Sequence, residues 1–199
     1  SGGTTGNLSA LVAARQFARN QLGRHPAGQW RLACTTQAHS SVQAAAAVLD
    51  AEVVIVPEND QGQLTGEALR SALINSHDVF AVVASAGTTN AGIIDDLSGI
   101  ADVCERFGVW MHVDGAYGGA ALAAPSVRPL FTGIERADSF IVDPHKWLFA
   151  TYDCCALLYR QPELGRAAHS QRAGYLDAID REVWNPWDYG VHLTRRARG

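Results

Sequence analysis

The sequence lacks several patterns that mark large classes of protein. It contains no run of the roughly 20 apolar residues that a membrane-spanning helix requires, and no signal-sequence pattern opens it. Acidic and basic residues are interspersed, so the formal net charge of -4 forms no block that would bind nucleic acid or an anionic membrane. Neither a solenoid repeat nor a low-complexity linker is present. We therefore expect a soluble protein that acts on a small molecule.

Cysteine is scarce as well. The four cysteines form no C-x-x-C pair, and adjacent Cys154 and Cys155 would point to opposite faces of a strand. This pattern favours a reduced, cytoplasmic protein. A chain of 199 residues that is 47% hydrophobic can bury a core and suits one domain. Because the opening SGGTTGN looks like an internal loop and LTRRARG ends without a closing element, we expect that domain, residues 1–199, to be truncated at both ends.

Strand-like and helical segments alternate along the chain. The strand-like segments are rich in valine and isoleucine, as in EVVIVP, VFAVVAS, VWMHVD and SFIVD. Helical segments such as TGEALRSALINS and DLSGIADVCERFG lie between them. In the first half, Asn7 can cap a helix that stops at Gly23, and Ser40 or Ser41 can cap a second helix. This alternation predicts an α/β fold with a mostly parallel sheet flanked by helices.

Ligands of open α/β sheets gather beyond the carboxyl ends of the strands. The segments in those positions are residues 36–39, 87–90, 114–119 and 143–146. The opening SGGTTGN adds flexible backbone, two hydroxyls and a helix start, which together can bind a phosphate. It is not the G-x-x-x-x-G-K-[ST] nucleotide loop, and a glycine-rich turn can also be merely tight.

Two charged side chains follow apolar strands and allow both a functional and a purely structural interpretation. Asp114 in HVDGAYGG can cap a turn, or it can face a cationic ring nitrogen. Lys146 in DPHKW can be a surface lysine, or it can lie between Trp147 and the sheet core, where desolvation would make its amine a nucleophile for Schiff-base formation. A phosphate loop, a buried acid and a desolvated lysine are together the three anchors that pyridoxal phosphate requires.

Five segments of the sequence occur in the order and spacing of one known family. They are SGGTTGNLSALVAAR, QAHSSVQ, AGTTNAGIIDDL, HVDGAYGG and ADSFIVDPHKWLF. Over nearly its whole length the sequence resembles the group II pyridoxal-phosphate decarboxylases, which include aromatic amino acid, histidine and glutamate decarboxylases. The last segment is the family's specific lysine motif. The resemblance implies the large domain of the fold type I, aspartate aminotransferase-like architecture.

The resemblance also implies roles for residues around the cofactor ring and phosphate. Gly3 and Thr4 would hold the phosphate, and Thr89 would approach the ring hydroxyl. His39 would stack on one face of the ring, and Ala116 would support the other. Simpler alternatives remain: His39 caps its helix, the threonines form a hydroxyl turn, and Ala116 is merely small.

The remaining implied roles concern charge. Asp114 would pair with the pyridine nitrogen, Lys146 would hold the cofactor as a Schiff base, and His145 would lie near the phosphate or the substrate. Asp143, in the same lysine motif, would also contact the cofactor, although animal relatives tend to carry asparagine there, and Gly115 stands where the family commonly has alanine. Both departures bear on substrate contacts rather than on the anchors.

A polar stretch at residues 161–190 resembles the family's mobile catalytic loop. Its GYLDAI segment would place Tyr175 as the acid that returns a proton to the substrate carbon, often across a dimer interface. A loop tyrosine can also be surface packing. Arg195, in TRRAR, is a weaker match. The resemblance thus implies a homodimer with active sites near the subunit interface.

The predicted activity is decarboxylation of an L-amino acid, by preference an aromatic one, to an amine and carbon dioxide. Catalysis would rest on Lys146, Asp114, His39 and Tyr175. The alternatives are another reaction of the same cofactor (aminotransferase, lyase or aldehyde synthase) and a non-catalytic relative. A hydrolytic metal held by His112, Asp114 and His145 is a further alternative, but we predict no metal.

Overall fold

A computed structural model describes residues 2–20, 22–76, 78–170 and 186–191. A single six-stranded sheet with strand order β2-β1-β3-β4-β5-β6 forms its centre. The strands are β1 Trp30–Cys34, β2 Ala51–Ile55, β3 Val79–Ser85, β4 Trp110–Asp114, β5 Ser139–Val142 and β6 Ala156–Tyr159. All neighbouring pairs are parallel except β5 and β6. The predicted α/β class with a mostly parallel sheet is confirmed.

Helices cover both faces of the sheet. They are α1 Gly3–Asn20, α2 Ser40–Val48, α3 Gly66–Leu73, α4 Leu97–Phe107 and α5 Pro162–His169. Short 3-10 turns follow at Gly118–Ala123, Arg128–Phe131, Ile134–Arg136 and Pro186–Tyr189. Side chains of α3 and α4 pack against one face, and those of α1 and α2 against the other.

The central strand β3 shows why the fold has two layers. All seven of its residues are buried. Because successive side chains of a strand point to opposite faces, Val82 and Ala84 pack with α3 and α4, whereas Ala81 and Val83 pack with α1 and α2. A strand that is apolar on both faces is what a parallel sheet covered by helices requires.

The starts of the first two helices differ from the prediction. Helix α1 begins at Gly3, so Asn7 lies inside the helix, where its side chain is buried and does not cap it. Helix α2 is capped by His39, whose ring accepts a hydrogen bond from the Ser41 amide, and not by Ser40 or Ser41. In both cases a long-range contact, described below, takes the side chain that local preference would have used as a cap.

The polar stretch that begins at residue 161 is not irregular throughout. Helix α5 forms with Pro162 in its first turn, a position that suits proline because the missing N–H is not needed there. His169 at its end contacts the Ser9 carbonyl of α1 through Nε2, at 2.9 Å. Regular structure therefore continues at least to His169, further than the composition indicated.

None of the helices within the described ranges is both long and apolar enough to cross a lipid bilayer. All four cysteines carry free thiols. Cys154 and Cys155 precede β6 instead of lying on opposite faces of a strand, because the strand starts only at Ala156.

Candidate functional site

A cavity of about 250 Å³ opens at the carboxyl edge of the sheet, beside the first turn of α1. It is lined by residues from every segment that the sequence placed there. The predicted site residues on its wall are Gly3, Thr4, His39, Thr89, Asp114, Ala116, Asp143, His145 and Lys146. Tyr175 and Arg195 lie outside the residues that the structure describes. The parallel strands thus bring together side chains that are far apart in the sequence.

Lys146 faces the cavity but is not shielded from water as predicted. Its side chain is 35% exposed, and Trp147 as a whole residue is 43% exposed. Trp147 stacks on Tyr117 instead, with ring centroids 5.2 Å apart. The reason is that residues 144–148 form a turn beyond the end of β5, which leaves Trp147 exposed instead of packed into the core. The amine is held by charge, since its Nζ lies 3.1 Å from Oδ2 of Asp143.

Asp143 joins three parts of the site. Its carboxylate is buried, with only 1% of the side chain exposed. Oδ2 accepts a hydrogen bond from the Gly3 amide at 2.8 Å and lies 3.8 Å from Nε2 of His145. No side chain or amide of the described residues donates to Oδ1. A buried carboxylate oxygen without a donor is costly, so Asp143 suits a site that a further donor completes.

The Gly3 amide is therefore committed to Asp143 and does not face an anion. What Gly3 contributes is space, since a Cβ at this position would lie 3.0 Å from Oδ2 of Asp143 and 3.1 Å from Cβ of Ala116. The neighbouring Thr4 is exposed at the cavity, and the first turn of α1 contains no acidic residue. An exposed hydroxyl at the amino end of an 18-residue helix suits a phosphate.

Asp114 closes a turn, as its first interpretation predicted, and it also lines the cavity. Oδ1 accepts from the Ala116 amide at 3.0 Å, which closes the turn after β4. Oδ2 accepts from Nδ2 of Asn7 at 2.8 Å, and the half-buried carboxylate also lines the cavity. Asp114 and Lys146 therefore share one hollow, on the ends of the adjacent strands β4 and β5.

His39, Thr88 and Thr89 also differ in whether they serve the local structure, face the cavity, or do both. His39 caps α2, because its Nδ1 accepts from the Ser41 amide at 3.2 Å, and the exposed His39 also lines the cavity. The buried Thr88 forms the predicted hydroxyl turn, because its Oγ1 accepts from the Ile93 amide at 3.1 Å. Thr89 is exposed and free to contact a ligand.

The glycine at position 115 has a structural cause. A Cβ there would overlap the ring of Phe140 and lie 3.0 Å from the Ile141 carbonyl. Glycine lets the turn after β4 pack directly on β5, which sets the distance between the strand ends that carry Asp114 and Asp143.

His112 is not available to a metal. It is fully buried behind the cavity, where Nδ1 lies 2.8 Å from Oγ of Ser139 and Nε2 lies 2.8 Å from Oδ1 of Asn7. Burial lowers the pKa of His112 to about 4, although the charge of Asp114 acts in the opposite direction. Within the described ranges, no group of three His, Cys, Asp or Glu side chains is arranged to hold a metal ion.

This lowered pKa predicts a loss of stability in acid. Between the ordinary value of 6.5 and the folded value of about 4, the unfolded chain binds a proton at His112 that the folded chain does not. The contribution of His112 to the free energy of unfolding has its full value above pH 6.5. It falls as the pH drops toward 4, by up to ~1.4 kcal/mol per pH unit. Urea denaturation from pH 4.5 to 7.5 measures this.

His112→Gln provides the reference for that measurement, because glutamine cannot titrate. The stability advantage of the wild type over His112→Gln is expected to shrink steadily as the pH falls below 6.5. A constant difference across the range would contradict a neutral, buried His112.

Two signals for the site were present in the sequence but were overlooked. Lys146 is the only lysine among the 199 residues, which by itself draws attention to its position. Asn7 was interpreted as a cap, although an amide in the middle of an apolar helical face has to find a buried partner. Ser41, which joins Asn7 to His39, carries no signal of its own.

Comparison with known proteins agrees with this arrangement. The model of the pyridoxal-dependent decarboxylase conserved domain matches residues 1–198. The L-aspartate decarboxylase dtxS4 of Metarhizium robertsii is 35% identical over 98% of this chain and 41% of its own length. The aromatic-L-amino-acid decarboxylase of Bacillus atrophaeus is 32% identical over 100% of this chain and 42% of its own length.

A solved structure gives the same result. The crystal structure of Oryza sativa TDC with PLP and tryptamine superposes with a TM-score of 0.89 and 30% identity, over 98% of this chain and 43% of that one. The chain spans about two fifths of the length of the curated relatives that it matches. It belongs to the family of pyridoxal-dependent decarboxylases.

Proposed function

We propose that the full-length protein containing this chain binds pyridoxal phosphate in the cavity and decarboxylates an L-amino acid to the amine and carbon dioxide. One observation carries the proposal: the lysine and the strand-end aspartate face the same hollow beside an acid-free helix start. These are the three anchors of the cofactor, and they come from separate parts of the fold.

The residues present fit this cofactor. The first turn of α1 with Thr4 suits the phosphate, Asp114 suits a protonated ring nitrogen, and Lys146 suits the aldehyde. Oδ1 of Asp143 is buried and has no hydrogen-bond donor among the described residues, so the cavity lacks one donor that a ligand could supply. When bound, pyridoxal phosphate supplies an electron sink for the electron pair that remains as the substrate carboxylate leaves.

The residues of this chain position charges around the space for the cofactor. Lys146 would hold the aldehyde of the cofactor through its amine, which forms an ion pair with Oδ2 of Asp143 at 3.1 Å. Asp114 keeps a negative charge in place for the ring nitrogen through two neutral donors, the Ala116 amide and Asn7. His39 and Ala116 bound the space in which a flat ring can lie.

Tyr175 is our proposed donor of the proton that completes the amine. It belongs to the 161–190 region, the proposed catalytic loop, and a proton returned at the substrate carbon is what separates an amine product from a carbonyl product. The corresponding domain assignment, a cofactor-binding large domain over 1–199 with this loop near its end, is part of the same proposal.

Product analysis tests the reaction. The purified full-length protein with pyridoxal phosphate is supplied with L-aspartate, L-glutamate and the aromatic L-amino acids, because the relatives are named for both acidic and aromatic substrates. We expect one of these to give equimolar amine and carbon dioxide. Carbon dioxide with an aldehyde would indicate an aldehyde synthase, a keto acid without carbon dioxide an aminotransferase, and binding without turnover a non-catalytic relative.

Two further expectations belong to the whole protein. We propose a homodimer with the active sites near the subunit interface, which sedimentation equilibrium of the full-length protein tests. We also propose a cytoplasmic location, supported by four free thiols. Cell fractionation tests the location.

A further inference from the structure

A continuous network of hydrogen bonds runs from residues behind the cavity to its wall and meets at Asn7, which lies on that wall. On one side, Nε1 of Trp110 and Nδ1 of His112 each lie 2.8 Å from Oγ of Ser139. Nε2 of His112 then lies 2.8 Å from Oδ1 of Asn7. On the other side, Nδ2 of Asn7 donates to Oδ2 of Asp114 at 2.8 Å and to Oγ of Ser41 at 2.9 Å. Every polar atom of the Asn7 amide is used.

The network has a direction, which its two ends set together. An indole nitrogen only donates, so Ser139 accepts from Trp110 and its own hydroxyl proton is available to Nδ1 of His112. A neutral His112 that accepts at Nδ1 carries its proton on Nε2, which donates to Oδ1 of Asn7. The Nδ2 group of Asn7 must then face Asp114.

The opposite end of the network leads to the same orientation. An ionised carboxylate only accepts, and a flipped Asn7 would turn its carbonyl oxygen against Oδ2 of Asp114. That contact would be repulsive in a buried position. The tautomer of His112 and the orientation of Asn7 are therefore fixed from both sides.

This arrangement holds Asp114 without neutralising it. Asn7 and the Ala116 amide each give the carboxylate a hydrogen bond, but neither supplies a positive charge. His112, the nearest ionisable group behind Asn7, is fully buried and uncharged, because burial lowers its pKa to about 4. The negative charge is left available to a cation in the cavity.

We propose that Asn7 is a positioning residue that orients Asp114 toward the cofactor's ring nitrogen and keeps its charge uncompensated until the cofactor binds. This inference rests on the proposed function, since the ring nitrogen belongs to pyridoxal phosphate. It assigns to a residue in the second turn of α1 a role in cofactor recognition at the end of β4. Asn7 need not touch the cofactor to act in this way.

The test compares two ligands that differ at one atom. Apoprotein of the full-length chain is titrated with pyridoxal phosphate and with its 1-deaza analogue, in which a C–H group replaces the ring nitrogen, and tryptophan fluorescence reports both dissociation constants. Asn7→Leu is close to asparagine in size and removes the donor to Asp114 without adding a charge. We expect it to lower the preference for pyridoxal phosphate over the analogue by at least ~10-fold.

Asn7→Ser is a second variant, because its shorter side chain loses the donor to Asp114 without adding a charge. The same fall in preference is expected. Ser9→Ala is the matched control on α1: Ser9 is buried outside the cavity, and its hydroxyl accepts only from the Val191 amide among the described residues. It should leave the preference unchanged.

The outcomes separate the two proposals. Equal weakening of both ligands in the Asn7 variants, or an unchanged preference, would overturn the positioning role while leaving cofactor binding intact. If the wild type binds neither ligand, the proposed function fails first.

Discussion

Replacing Lys146 with alanine in the full-length protein is expected to lower kcat for decarboxylation by at least ~1,000-fold. The reason is that Lys146 provides the amine facing the cavity, and this chain contains no second lysine that could take its place. The variant should also lose the visible absorbance that borohydride removes from the wild type. Steady-state assays and absorbance spectra, both at saturating pyridoxal phosphate, measure the two effects.

Lys146→Arg is the control for this experiment. It keeps a cation opposite Oδ2 of Asp143, where the lysine amine lies at 3.1 Å, but a guanidinium stays protonated and does not condense with an aldehyde. We expect an equally inactive protein with near wild-type thermal stability. Activity within tenfold of the wild type in either variant would disprove the assignment of Lys146.

Asp114→Asn is expected to have the second largest effect, lowering kcat by roughly 100- to 1,000-fold. Asparagine matches the shape of aspartate and can still accept from the Ala116 amide, but it carries no charge to hold a protonated ring nitrogen. The variant should also bind pyridoxal phosphate and the 1-deaza analogue with similar affinity. Assays with the substrate found by product analysis, and titrations of the apoprotein, test both expectations.

Asp60→Asn makes the same chemical change on an exposed turn before α3 and should keep full activity. If Asp114→Asn also kept full activity, the carboxylate would be a turn cap and no more, as its bond to the Ala116 amide would allow.

The sheet could be predicted because its strands can be recognised from their apolar sequence. Buried parallel strands are apolar on both faces, so VFAVVAS and VWMHVD stand out from the helices between them. The rule that ligands bind at the carboxyl ends then identified Asp114 and Lys146 without knowledge of the neighbouring strand. The residues of the site that lie at strand ends can therefore be identified from local sequence.

Contacts across the sheet could not be predicted in this way. The Asn7 side chain meets Asp114 across 107 positions of sequence, and the Gly3 amide meets Asp143 across 140. Local preference assigned Asn7 to a cap because capping is what asparagine does near a helix start. The prediction that Lys146 is shielded from water was wrong for a related reason. Trp147 is its neighbour in sequence, but local sequence does not determine the direction in which a turn points a side chain.

The bond between the Gly3 amide and the Asp143 carboxylate has a consequence for synthesis of the protein. Helix α1 emerges from the ribosome before β5, so the Gly3 amide has no acceptor at Asp143 until β5 has followed. A nascent chain that ends before Lys146 contains the start of α1 but lacks the lysine amine. The cofactor can therefore be bound through that amine only after β5, the last parallel strand, has been synthesised.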